Sequence, residues 1–245
     1  MDDVALFGLK RRAGLCLLAA LLWAAPARSE TLPLPQNLVG AASDAGEALL
    51  LGSEARKAYF PLSINFVTQK NQAFCGVASL VMVLNAMGVP APAVPEYDPY
   101  KTFTQDNVLN PQTEAVIPVE TIKKQGITLD QLGGLFGAFP VNVTVRHAAD
   151  STVETFRKEA VAHLSQPGRF VVINYLRMAI GQEKGGHISP LAAYDADTDR
   201  FLILDVARYK YPPVWVATED LFKAMNTTDK DNDNRTRGYL LLAAK

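Results

Sequence analysis

The chain has 245 residues, 49% of them apolar and 20% charged, with 24 basic residues against 25 acidic ones and a formal charge of -1. This composition excludes a disordered tail protein, and the near-neutral balance gives no bulk field to draw in nucleic acid or anionic lipid. Two cysteines, Cys16 and Cys75, are too few for a disulfide framework, and a chain of this length buries a core without one.

Lys10, Arg11 and Arg12 precede the apolar run AGLCLLAALLWAA, which closes on Ala25, Pro26 and Ala27. The run falls short of the ~20 residues that span a bilayer and ends in the small residues a signal peptidase reads. Residues 1–27 are therefore expected to be a signal peptide and 28–245 a single mature domain, periplasmic or secreted, with no membrane attachment after cleavage. Cys16 leaves with the leader, since Leu15 stands where a lipid-attachment site needs a small residue. The mature chain then meets an oxidising compartment with one thiol, Cys75, which has no partner in its own chain.

Residues 31–37 are proline-spaced and extended, and 44–57 reads as a short helix. Ala78, Met82 and the run 84–87 recur at helical spacing before Gly88 and Pro90, so a buried helix is expected over about 75–87, with Cys75 in its first turn. The stretch 90–111, rich in proline, tyrosine and asparagine, reads as a long loop that covers a site. Pro118 opens a helix ended by Gly126, and Thr128 with Gln131 makes a capping box for the next. After the strand VNVTVRH, Ser151 and Glu154 make a second capping box for a helix that Pro167 and Gly168 terminate. RFVVINYL, HISPLAAY, FLILDVARY and GYLLLAA then read as strands, with Thr218 capping the helix EDLFKAM. Helices first and antiparallel strands later is the α+β pattern.

A thiol at a helix N-terminus is stabilised as thiolate by unpaired N–H groups and the helix dipole, which marks Cys75 as a nucleophile. His187 follows Gly185 and Gly186, where backbone can approach a ligand, and starts a strand; His147 and His163 read as boundary residues. A five-residue loop over 195–199 pairs Tyr194 with Arg200, and the same register sets Ser189 opposite Asp205 and His187 opposite Ala207. His187 and Asp205 then point to one side of the sheet. Asp205 is the polar member of the run FLILDV, where an unpaired carboxylate is costly to bury, so it orients the His187 imidazole. Gln69, six residues before Cys75, offers a side-chain N–H to a developing oxyanion beside the Cys75 backbone N–H, with Gln72 as competitor.

TQKNQAFCGVASLVMVLNA, GGHISPLAAYD and LDVARYKYPPVWV resemble the three catalytic blocks of the phytochelatin synthase family, and the similarity runs from about residue 32 to the C-terminus. The resemblance implies a papain-like cysteine protease fold, with a helical N-terminal lobe carrying the nucleophile and an antiparallel β-sheet lobe carrying His and Asp. It implies Cys75 as nucleophile, His187 as base, Asp205 as its orienter and Gln69 at the oxyanion. The implied substrate is glutathione, cleaved at its Cys-Gly bond through a γ-glutamylcysteinyl thioester. Water then gives γ-glutamylcysteine, and a second glutathione gives phytochelatin; the short exported form is similar to bacterial members, which mainly hydrolyse. Arg208 and Tyr211 match family positions associated with substrate recognition. Gly186 and Arg237 are further candidates, because glutathione's two carboxylates call for cations that bind in a fork.

No cofactor is expected. With one mature cysteine and no ligand cluster, cadmium or zinc is expected to enter as a thiolate complex of the substrate. The run DKDNDN from Asp229 fails as a calcium loop, because Asn234 stands for the turn glycine and Leu240 for the bidentate glutamate. GGLFG lacks the lysine of a phosphate loop. Two other functions compete with the transpeptidase: a papain-like endopeptidase on protein chains, and an inactive periplasmic protein that binds thiols or metal. A homodimer is left open.

Overall fold

The computed structural model describes residues 31–245; the expected signal peptide over 1–27, with Cys16, lies outside them. In chain order the helices are α1 (Asp44–Gly52), α2 (Tyr59–Ile64), α3 (Cys75–Ala86), α4 (Pro111–Glu114), α5 (Val119–Gln125), α6 (Leu129–Gly137), α7 (Val153–Leu164) and α8 (Thr218–Met225). The strands are β1 (Val39–Gly40), β2 (Val141–His147), β3 (Arg169–Leu176), β4 (Gly186–Asp195), β5 (Arg200–Ile203), β6 (Val214–Ala217) and β7 (Gly238–Ala244). They form a seven-stranded sheet in the order β1-β6-β5-β4-β3-β7-β2, antiparallel at every ladder. The architecture is α+β, as the order of elements in the sequence predicts.

Apart from Gly186, β4 is buried along its whole length, and β3 is buried except at its ends. A sheet whose central strands are buried on both faces needs cover on both. It comes from α3 packing on β4, α6 on β2, and α7 and α8 on β3. The core is correspondingly apolar and continuous, with Trp215, Tyr175, Tyr239, Phe156 and Phe201 among its fully buried side chains.

α3 starts and ends within a residue of its expected bounds, because its sequence is apolar on every face: all residues from Cys75 to Leu84 are buried. The Thr128–Gln131 capping box is present. Elsewhere the caps differ. Thr152, not Ser151, caps α7 by accepting from Thr155 N at 3.2 Å, while Ser151 Oγ turns to the Tyr239 hydroxyl at 3.3 Å. Thr218 does not cap α8 but is its first residue, and its hydroxyl donates to Asp199 Oδ1 at 2.7 Å. α1 stops at Gly52, short of the expected 57, and α2, α4, β1 and β6 carry too few residues to show a period in the sequence.

The hairpin between β4 and β5 corrects the expected register. Asp195, not Tyr194, pairs with Arg200, so the turn is one residue shorter than expected. An irregularity between Leu191 and Ala193 then shifts the pairing back, so that Leu191 faces Ile203. The bulge cancels the turn. Asp205 lies just beyond the end of β5 and still reaches the side of the sheet where His187 stands.

Candidate active site

Cys75 is the first residue of α3, preceded by Phe74, which offers no side-chain cap. The first-turn N–H groups are therefore left to face whatever the cleft holds. The next residue, Gly76, packs closely on Ile127: a Cβ there would fall 2.6 Å from Ile127 Cδ1, so a larger residue would require that side chain to shift. The thiol stands among the His187 ring and the backbone at Ile188 and Gly76, all of which favour its thiolate. Burial opposes ionisation of Cys75, but His187 and these backbone groups outweigh it and hold the thiol below its ordinary value.

His187 Nε2 lies 2.8 Å from Asp205 Oδ1 and 3.0 Å from Ser189 Oγ, which leaves Nδ1 for the thiol. Tyr175, its cross-strand neighbour, packs edge-on against the ring with centroids 5.7 Å apart. Burial would lower the imidazole's pKa, but the Asp205 charge raises it, against an opposing contribution from Arg177, and the net shift is upward. Asp205 is fully buried and is held well below the carboxylate range: burial works against this, and the charges of His187 and Arg177 prevail. Thiol, imidazole and carboxylate stand in the order that nucleophilic cysteine catalysis uses.

Arg177, in the 3₁₀ turn after β3, was not foreshadowed by any motif. It is 3% exposed, donates from Nη2 to Asp205 Oδ1 at 2.9 Å, and places Nη1 2.8 Å from Oδ2 in an ion pair out of line for a hydrogen bond. Its guanidinium lies 5.3 Å from the centre of the Tyr211 ring.

Two hollows meet at His187. One, of about 140 Å³, holds Cys75 and is bordered by Gln72, Thr128, Gln131, Asn174, Gly186, Asp229, Asp231 and Arg237. The other is bordered by Gln69, Gln72, Arg177, Lys184, Gly186, Tyr209 and Lys210. Gly186 is the saddle between them, and a Cβ there would stand 3.3 Å from the Arg237 guanidinium. Arg237 pairs with Asp229 at 3.4 Å and donates to the Thr228 carbonyl at 2.7 Å, while its buried Nε has no partner.

The other expected site residues lie differently. Gln69 is buried, but its Nε2 already donates to the Asn71 carbonyl at 2.7 Å and to the Tyr209 hydroxyl at 3.0 Å. Gln72 is exposed and borders both hollows. Arg208 and Tyr211 border neither. Arg208 turns outward and stacks over Phe66 at 4.7 Å, and Tyr211 is buried under Arg177 with its hydroxyl accepting from Glu183 N at 3.0 Å. Among the described residues, no group of three His, Cys, Asp or Glu side chains is placed to hold a metal ion. No described helix is long and apolar enough to cross a membrane.

The arrangement brings a cysteine thiol, an imidazole and a carboxylate together, and the comparisons with known proteins give the chain a family. The phytochelatin synthase family model matches residues 29–239, and the chain belongs to that family. Glutathione gamma-glutamylcysteinyltransferase 3 of Lotus japonicus is 36% identical over 193 residues, covering 79% of this chain and 39% of the plant protein. The glutathione gamma-glutamylcysteinyltransferase of Schizosaccharomyces pombe is 29% identical over 217 residues, covering 85% of this chain and 50% of its own. The chain thus spans half the length of these relatives or less.

The opposed shifts on Cys75 and His187 both favour the thiolate–imidazolium pair. The thiolate appears as pH rises through a value below that of an ordinary thiol, and the imidazolium is lost only above that of an ordinary histidine. Iodoacetamide should therefore alkylate Cys75 on the acid side of the range for a free thiol, and His187→Ala should move that profile back toward the free-thiol range. An unchanged profile in His187→Ala would remove the ion pair.

Proposed function

We propose that the protein is a cysteine-dependent glutathione γ-glutamylcysteinyltransferase that acts mainly as a glutathione hydrolase on a papain-like catalytic fold. The observation that carries this reading is the Cys75 thiol beside an Asp205-held imidazole in a cleft whose wall presents Arg237 with Asp229 and Asp231. The γ-glutamyl end of glutathione bears a carboxylate and an ammonium on one carbon, and this wall offers a guanidinium charge for the first and carboxylates for the second. A hollow of about 140 Å³ is small beside ligand pockets of roughly 300–1,000 Å³, so it suits one end of the tripeptide. Lys184 and Lys210 border the other hollow, where the glycine carboxylate would lie.

In the first step the Cys75 thiolate attacks the carbonyl carbon between cysteine and glycine. The oxyanion is taken up by the Cys75 backbone N–H and by Gln72 or Gln69, the latter after releasing the Asn71 carbonyl. His187 gives its proton to the glycine nitrogen, the C–N bond breaks, and a γ-glutamylcysteinyl thioester remains. In the second step His187 takes a proton from water, whose oxygen attacks the thioester and frees γ-glutamylcysteine and the thiol. A second glutathione attacking through its amine would give phytochelatin instead. Metal enters this scheme as a thiolate complex of the substrate, and the leader read over 1–27 would deliver the enzyme to the periplasm.

The test is incubation of reduced protein with glutathione, with and without cadmium, followed by mass spectrometry of the thiol products. Glycine with γ-glutamylcysteine is the expected result. Oligomers ending in glycine would make it a synthase, and cleavage of casein without glycine release would make it an endopeptidase. Binding without turnover would leave a thiol-binding protein.

A further inference from the structure

His147 ends β2 and is 3% exposed, although the reaction above gives it no part. Both of its ring nitrogens face acceptors. Nδ1 lies 2.5 Å from the Thr236 carbonyl oxygen and Nε2 lies 3.0 Å from Asp130 Oδ1. A carbonyl and a carboxylate have no hydrogen to give, so the ring serves both only with a hydrogen on each nitrogen. A buried side chain held at both ends in this way joins whatever its two partners belong to.

Those partners belong to two segments that each border the cleft. Asp130 lies in the first turn of α6, between Thr128 and Gln131, which border the hollow around Cys75. Thr236 lies in the arm 226–237, which carries Asp229, Asp231 and Arg237 to the same hollow. The arm is folded on itself, with Asp229 N donating to the Arg235 carbonyl at 2.8 Å and Arg237 N to the Thr227 carbonyl at 3.0 Å. Beyond its start, where Thr227 Oγ1 donates to the Ala224 carbonyl of α8 at 2.8 Å, ties to the body run through the same corner: Arg235 Nη1 to Asp130 Oδ2 at 3.1 Å, Ala149 N to Thr236 Oγ1 at 3.0 Å and Ala148 N to the Arg237 carbonyl at 2.9 Å. Burial of Asp130 works against its ionisation, yet His147, with smaller help from Asn232 and Arg235, holds its carboxyl below the ordinary value.

We propose that His147 and Asp130 form a latch that ties the 226–237 arm to α6 and so fixes Arg237 and Asp229 in the substrate cleft. His147 is then a positioning residue: it acts on substrate affinity through the arm and leaves the chemistry at Cys75 alone. For its kinetic consequence the proposal rests on the glutathione reading; for its structural one it does not.

Two variants test it. His147→Gln keeps a polar side chain but carries hydrogens on one nitrogen only, and Asp130→Asn keeps the shape and loses the charge. Each is compared with the parent for kcat and KM of glycine release, for the rate of Cys75 alkylation by iodoacetamide, and for deuterium uptake over 226–237. The expected result in both is a KM raised about tenfold, kcat and alkylation rate within about twofold, and faster uptake confined to the arm. The double variant should be no worse than Asp130→Asn alone, since that substitution already weakens the His147 connection along with the Arg235 pair. An unchanged KM with parent-like uptake overturns the proposal, and so does a joint fall of kcat and alkylation rate, which would mean general disruption. If the parent releases no glycine, the glutathione reading fails, and arm uptake with intact alkylation still decides whether the latch exists.

Discussion

Cys75→Ser is expected to lower glycine release from glutathione by at least about 10⁴-fold while leaving the fold and substrate binding in place. The proposed mechanism requires a sulfur nucleophile. His187 and the backbone at Ile188 and Gly76 overcome the cost of burying a charge on Cys75. A hydroxyl at the same position starts from a far higher pKa, and the same groups cannot bring it into the range where His187 holds its proton. Packing tolerates the change, since the side chain is 9% exposed at a helix N-terminus and serine fits its volume. Parent protein quenched in acid during turnover should carry a γ-glutamylcysteinyl adduct by intact mass, and the variant none. Turnover in the variant within tenfold of the parent would take the thiolate out of the mechanism.

The site was legible in the sequence where local chemistry was enough. Cys75 follows from a lone thiol opening an apolar helical run, and Asp205 from a carboxylate standing in FLILDV. Their meeting with His187 also depends on the sheet, and here the expected register is met at Leu191–Ile203, the last pair of the ladder, for an incomplete reason: a shorter turn and a compensating bulge arrive at the same place. Arg177 could not be read. In RFVVINYLRM an arginine after a strand looks like an exposed strand end, and its burial comes from Asp205 and Tyr211, both about thirty residues away. The reverse holds for Arg208, which a motif pointed to the substrate and which the structure stacks on Phe66. The arm 226–237 reads as a polar loop because its order comes from His147 and Asp130, neither near it in the chain.

Arg177→Met is expected to cost about 3–5 kcal/mol of folding stability, because it leaves the Asp205 carboxylate buried with one counter-charge in place of two. The loss should show as a lower denaturant midpoint at pH 7. The pH dependence carries a sign that checks the cause. Asp205 has a depressed folded pKa, so its contribution to stability is present above the unfolded carboxyl value near ~3.9 and is lost as pH falls through the folded value. Removing Arg177 weakens that depression, so the gap between variant and parent should close as the solution is acidified. His187 responds in the opposite sense. Arg177 lowers its pKa by repulsion, so in the variant the alkaline limb of glycine release should move to higher pH. Combining Arg177→Met with Asp205→Asn removes both buried charges of the pair and should recover part of the lost stability without recovering turnover, because the imidazole then has no carboxylate to orient it. If Arg177→Met unfolds at the parent's midpoint, the ion pair is not what holds Asp205 in place. The carboxylate would then be kept under His187 by the Ala207 N–H, 2.8 Å from Oδ1, and by the ring itself.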